Sequence, residues 1–171
     1  MQYQISYFSP NGHVETLVNA FYRLLPPDTR VSNLEEEDIP VADVQLVGFD
    51  IGGTSLDAIP FKVVEYLDKL DGKAIFLFVT VPFQPDEVVE RRVHHNATGF
   101  LPKNCDFKGM YLCSAQPSET LLQDLKRTVS YHPENIRAKH WLERCECAVG
   151  HPDRNDIAKA CRFMQHVLKQ N

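Results

Sequence analysis

Residues 7–21 read YFSPNGHVETLVNAF, an apolar strand end that passes through Ser9-Pro10-Asn11-Gly12 straight into a helical pattern. Val14, Leu17, Val18, Phe21 and Leu25 recur at three- and four-residue spacing, which predicts a helix from about Gly12 to Leu25, stopped by Pro26-Pro27. A strand that ends at a small polar loop, with the next helix's first amides facing that loop, is a common way to build an anion site.

Upstream, QYQISYF at residues 2–8 has the apolar-rich composition of a strand, and a weak strand is expected at about 29–33. VQLVGFDI from Val44 is a near-continuous apolar run, the pattern of a strand covered on both faces, and it ends at Gly52-Gly53-Thr54-Ser55. A helix fits about 58–70, with Pro60 in its first turn and Val63, Val64, Leu67 and Leu70 on one face. KAIFLFVTV at 73–81 is the strongest buried-strand signal. Pro85 followed by Asp86 and Glu87 then opens another helix, since proline and acids favour a first turn. DFKGMYLCSA at 106–115 gives a fifth strand, and three helical patterns follow at about 118–130, 134–149 and 154–169. Strands alternating with helices imply an α/β fold with a mainly parallel sheet and right-handed crossovers.

The 171 residues suit one domain with a sizeable core, and no apolar run approaches the roughly 20 residues of a membrane-spanning helix. The N-terminus lacks the layout of a secretion signal, so a cytoplasmic protein with no membrane partner is expected. Five cysteines without framework-like spacing (Cys105, Cys113, Cys145, Cys147, Cys161) suit reduced thiols. A net charge of −5 with scattered lysines and arginines leaves no footprint for nucleic acid. The acidic run Glu35-Glu36-Glu37-Asp38 reads as a solvated loop.

Five alternating strands, a phosphate-type loop after the first and a Gly-Gly loop after the third together resemble the flavodoxin family. The resemblance covers about 1–115 and 153–171; residues 117–150 have no counterpart in a short flavodoxin and read as a helical insertion within a single domain, 1–171. It implies a flavodoxin-like three-layer sandwich with a five-stranded parallel sheet of order 2-1-3-4-5 and FMN at the switch point between the first and third strands. The family's phosphate loop is usually Ser/Thr-x-Thr-Gly-x-Thr. Here it stands as Ser9-Pro10-Asn11-Gly12-His13-Val14, so Ser9 and Gly12 match, Asn11 is another hydrogen-bonding side chain, and Val14 lacks a hydroxyl. Gly12 is expected to let the backbone approach a phosphate, residues 12–15 to offer unpaired amides, and His13, when protonated, to face the anion.

For the flavin ring the resemblance points to the loops after the third and fourth strands. Gly52 and Gly53, followed by Thr54, stand where a family glycine passes the flavin N5. Thr80, Pro82 and Phe83 form the second loop, with Phe83 where the family often stacks an aromatic residue on the ring. The insertion is expected either to cap the flavin or to form a partner surface, and Trp141 to pack it onto the domain. The resulting functional expectation is an FMN-binding electron-transfer protein that delivers electrons to a redox partner protein, as a monomer or homodimer. The alternatives are an FMN-dependent reductase of a small acceptor such as a quinone, and an FMN-free accessory module of a reductase. The electron-carrier reading requires no catalytic acid or base.

Three other chemistries fit poorly. Cys145 and Cys147 are two apart on a predicted helix and so point to different faces, which disfavours a zinc site with His140 and His151. A receiver domain would need an acidic pair after the first strand and a lysine after the fifth, where this chain has Ser9-Pro10 and Ser114-Ala115, although Asp50 and Thr80 lie at strand ends. A low-molecular-weight phosphatase would need Cys-x5-Arg after the first strand, and no cysteine occurs there.

Overall fold

The computed structural model describes residues 1–36 and 38–170, so the acidic run at 35–38 lies partly outside the described residues. Five strands form one sheet: β1 (Tyr3–Phe8), β2 (Arg30–Asn33), β3 (Val44–Asp50), β4 (Ala74–Val81) and β5 (Asp106–Ser114). The order is β2-β1-β3-β4-β5 and every pairing is parallel, as the resemblance implied. Every residue of β3 is buried, and so is every residue of β4 after Ala74. The near-continuous apolar runs are thus explained by helices on both faces.

On one face α1 (His13–Tyr22) and α6 (Arg154–Lys169) cover a cluster that includes Leu17, Phe21, Phe76, Phe78 and Met164. On the other, α2 (Phe61–Leu67) and α3 (Glu87–Thr98) cover Val47, Phe49, Leu77 and Val79. The remaining helices, α4 (Glu119–Tyr131) and α5 (Ile136–Cys147), form a hairpin whose Leu121, Leu122, Leu125 and Trp141 pack against this second cluster. No helix among the described residues is long and apolar enough to cross a membrane.

Three helices are shorter than the periodicity predicts, α5 by two residues at each end and α1 and α2 for reasons tied to prolines. α1 ends at Tyr22, and the amides of Leu24 and Leu25 make turn-type bonds to Phe21 and Tyr22. The physical reason is Pro26, which pushes the residue before it out of helical geometry. α2 begins at Phe61 because Pro60, with ψ 136°, sits outside the helix as its N-cap rather than in the first turn. Leu70 remains fully buried although the helix has already given way to turns.

The second face also carries a polar thread that apolar patterning does not reveal. The Ser6 hydroxyl donates to the Tyr66 hydroxyl at 2.9 Å, and Tyr66 donates in turn to Gln45 Oε1 at 2.9 Å. Burial raises the Tyr66 pKa, which the Ser6 bond partly offsets.

The α4–α5 hairpin is locked at the end of β4. Backbone N–H of Gln84 donates to the Arg144 carbonyl at 3.0 Å, and Arg144 Nε donates to the Gln84 carbonyl at 2.8 Å. The Arg144 guanidinium lies 5.4 Å from the Phe83 ring centre and 5.2 Å from that of Trp141, and pairs with Asp86 at 3.3 Å. Trp141 therefore ties the α4–α5 hairpin to the sheet, meeting Phe83 edge-on with ring centres 4.9 Å apart.

Candidate functional site

Four parallel strands deliver their C-terminal ends to one edge of the sheet, and a cavity of about 290 Å³ opens there. Ligand crevices in open α/β sheets form at this edge, beside the point where the strand order reverses. In this chain that point lies between β1 and β3. The walls come from Asn11 and His13 after β1, from Asp50, Ile51 and Gly52 at the end of β3, from Thr80 to Pro82 at the end of β4, and from residues 115–118 after β5.

Beneath the cavity the start of α1 is built from residues distant in sequence. Gly12 is its N-cap in the left-handed conformation, with φ 78°, and has no side chain to cap the helix. A Cβ on Gly12 would meet nothing within 4 Å, so glycine is needed here for its backbone angle and not for a close approach. That angle turns the Val14 amide toward the end of β3. The amide donates to Asp50 Oδ1 and to Ser9 Oγ, each at 3.2 Å. The Ser9 hydroxyl donates to Asp50 Oδ2 at 2.9 Å, and the Thr80 hydroxyl donates to Asp50 Oδ1 at 2.5 Å. Three donors thus converge on a side chain only 5% exposed, the arrangement an acceptor-only carboxylate requires. The positive end of the helix dipole adds to its stabilisation.

This geometry divides the candidate residues. Asn11, His13, Gly52, Thr80 and Pro82 line the cavity. Ser9 and Val14 lie beneath it, already bonded to Asp50, while Pro10, Gly12, Gly53 and Thr54 are outside its lining. Phe83 corrects the expectation of a ring stacker: it is fully buried, edge-on to Trp141 and under Arg144, so it is covered by α5.

Sequence reasoning missed the role of Asp50, which is signalled by a lone acid closing an otherwise apolar strand run. It also missed residues 115–118. These are pinned in place by the Gln116 amide donating to the His151 carbonyl, and by Gln116 Oε1 accepting from the Gly150 amide, both at 2.6 Å. Pro117 and Ser118, just before α4, line the cavity; among the described residues the lining includes none from within α4 or α5, so these helices flank the site instead of capping it.

The zinc set considered from sequence does not assemble. Among the described residues the group of ligating types that does meet is His151, Asp153 and Asp156, and its atoms are already committed. Asp153 accepts from the Asp156 amide at 2.9 Å, while Asp156 Oδ2 accepts from the Asp153 amide at 2.9 Å and contacts His151 Nδ1 at 2.5 Å. This is a helix capping box.

The flavodoxin-domain family model matches residues 4–165, nearly the whole of this fold. The chain belongs to the flavodoxin family. A similar protein is the flavodoxin-like domain-containing protein BilS of Clostridium symbiosum, 22% identical over 179 residues, an alignment that spans 96% of this chain and 94% of that protein. Among solved structures, a short-chain flavodoxin associated with a bacterial microcompartment superposes with a TM-score of 0.58 at 13% identity, covering 99% of this chain and 97% of that one. At that identity the likeness speaks for the flavodoxin fold.

The family implies FMN, and the two ends of that molecule fare differently against these residues. The cavity offers apolar walls in Ile51, Val81 and Pro82 with polar groups at its rim, the chemistry a flavin ring needs. The phosphate end does not fit: the Ser9 hydroxyl and Val14 amide that a flavodoxin loop would turn to it are bonded to Asp50, and a carboxylate stands beside them.

Proposed function

We propose that this chain is an electron-transfer module of the flavodoxin family that seats a flavin ring at the C-terminal ends of β1, β3 and β4 and passes electrons to a redox partner protein. The observation that carries this reading is the concave site at the switch point between β1 and β3, in a chain of the flavodoxin family. A bound flavin supplies the redox chemistry. The chain's own residues bind and orient: Ile51, Val81 and Pro82 exclude water from one side, and Asn11, His13 and Gln116 provide hydrogen-bonding groups at the rim. FMN is the form the family implies, but the Ser9 hydroxyl and the Val14 amide at the start of α1 are already bonded to Asp50, which leaves the flavin ring as the better-supported part of the ligand.

The test is to titrate flavin-stripped protein with FMN and with riboflavin, following the visible spectrum and the fluorescence of the flavin. At least one should bind with a perturbed spectrum. Gly52→Trp, which places a large side chain at an exposed lining position, should abolish that binding with unchanged far-UV circular dichroism. If neither flavin binds, the reading fails. Asp50 itself favours a second reading, an FMN-free accessory module of a reductase, because an internal anion holds the place the phosphate would take.

A further inference from the structure

We infer that the site is built for a ligand without a terminal phosphate, and therefore for riboflavin in preference to FMN. The inference rests on the flavin reading above and goes beyond it by naming which flavin. Its first support is the use of donors. Ser9, Val14 and Thr80 are three of the groups that the family pattern would turn toward a cofactor, and all three converge on Asp50. Asp50 is contributed by β3, 36 residues from Val14, and is nearly inaccessible, so it is a built part of the junction and not a surface acid folded over a vacant loop.

The second support is the sign of the charge. Among the described residues no lysine or arginine lines the cavity, and Asp50 is its acidic member. A phosphate dianion entering here would meet a carboxylate of like charge whose surrounding donors are already used. Like-charge juxtaposition of this kind is strongly unfavourable. A flavin ending in a hydroxyl meets no such penalty, because neutral hydroxyls can exchange hydrogen bonds with the Asn11 amide and the His13 imidazole at the rim.

The test uses the full chain, stripped of flavin and titrated with riboflavin and with FMN under identical low-salt conditions. Riboflavin is expected to bind tighter by about tenfold or more. Asp50→Asn, which keeps the shape and removes the charge, should shift the ratio of the two affinities toward FMN by about tenfold. If that variant fails to fold, the wild-type ratio decides alone. Wild-type affinities within about threefold of one another, or FMN the tighter, overturn the inference and leave the flavin site standing. Binding of neither flavin overturns the flavin reading itself, and this inference with it.

Discussion

The starts of the helices differ between the β1–α1 junction and the region that follows β5. After β5 each helix is capped by its own neighbour in sequence: Ser118 accepts from the Leu121 amide, Asn135 from Ala138 and Asp153 from Asp156. α1 has a glycine at the capping position, and its amide is satisfied by an acid from β3. Local caps make a helix start self-sufficient. A borrowed cap couples the start of α1 to whatever occupies the pocket that Asp50 lines.

The largest expected effect follows from removing the borrowed cap. Asp50→Ala leaves the Val14 amide and the Ser9 and Thr80 hydroxyls without their shared acceptor in a buried place, and should cost about 3 kcal/mol. Urea denaturation measures it, and a loss no greater than that of a surface cap would break the comparison. Next comes Gly48→Ala, which acts on the same junction through packing. A Cβ there would lie 2.2 Å from Phe78 Cε2 and 2.8 Å from Val14 Cγ1, so the ring or the start of α1 must shift, at about 2 kcal/mol. On the other side of the comparison, Ser118→Ala and Asn135→Ala each remove one local bond and should lower stability by about 1 kcal/mol. The Ser118 change carries a further reading: Ser118 also touches the cavity, so flavin binding is the property to follow beside stability.

The same contrast explains what could be read in the sequence. The five strands and six helices follow from local patterns, apolar runs for β3 and β4 and a 3.6-residue stripe for α6, and the structure places them within a few residues of expectation. The strand order came from the family resemblance. Local caps were partly legible too, since Asp86 follows Pro85 at a helix start and its side chain accepts from Val89. The borrowed cap was not, because Asp50 is 41 residues from Ser9 and 30 from Thr80, and no periodicity links them. Phe83 was misread for a related reason: its position after β4 was right for a ring stacker, but α5, which covers it, begins more than fifty residues later.

The smallest effect tests whether the acids of the local cap at α6 act beyond their own helix. Cys113, buried in β5, is pushed up to about 12, first by burial and then by the charges of Asp156 and Asp153. Its ordinary value is 9.0, so the unfolded chain releases the proton at lower pH than the folded one. The thiol's contribution is therefore whole below pH 9 and is lost as pH rises through 9 toward 12. Between pH 8 and 9.5 the loss is about 0.8 kcal/mol for this one group. Cys145, raised to about 11 chiefly by burial, and Tyr111, raised to about 12, add losses in the same direction. Cys113→Ala isolates the first contribution, because its packing cost is the same at every pH while its titration disappears. Stability measured by denaturant at both pH values should then fall by less in the variant than in the wild type, and Asp153→Ala should give a change in the same direction but smaller still. Equal slopes in wild type and Cys113→Ala would mean that the thiol titrates alike in both states, and that the cap at α6 has no reach into the sheet.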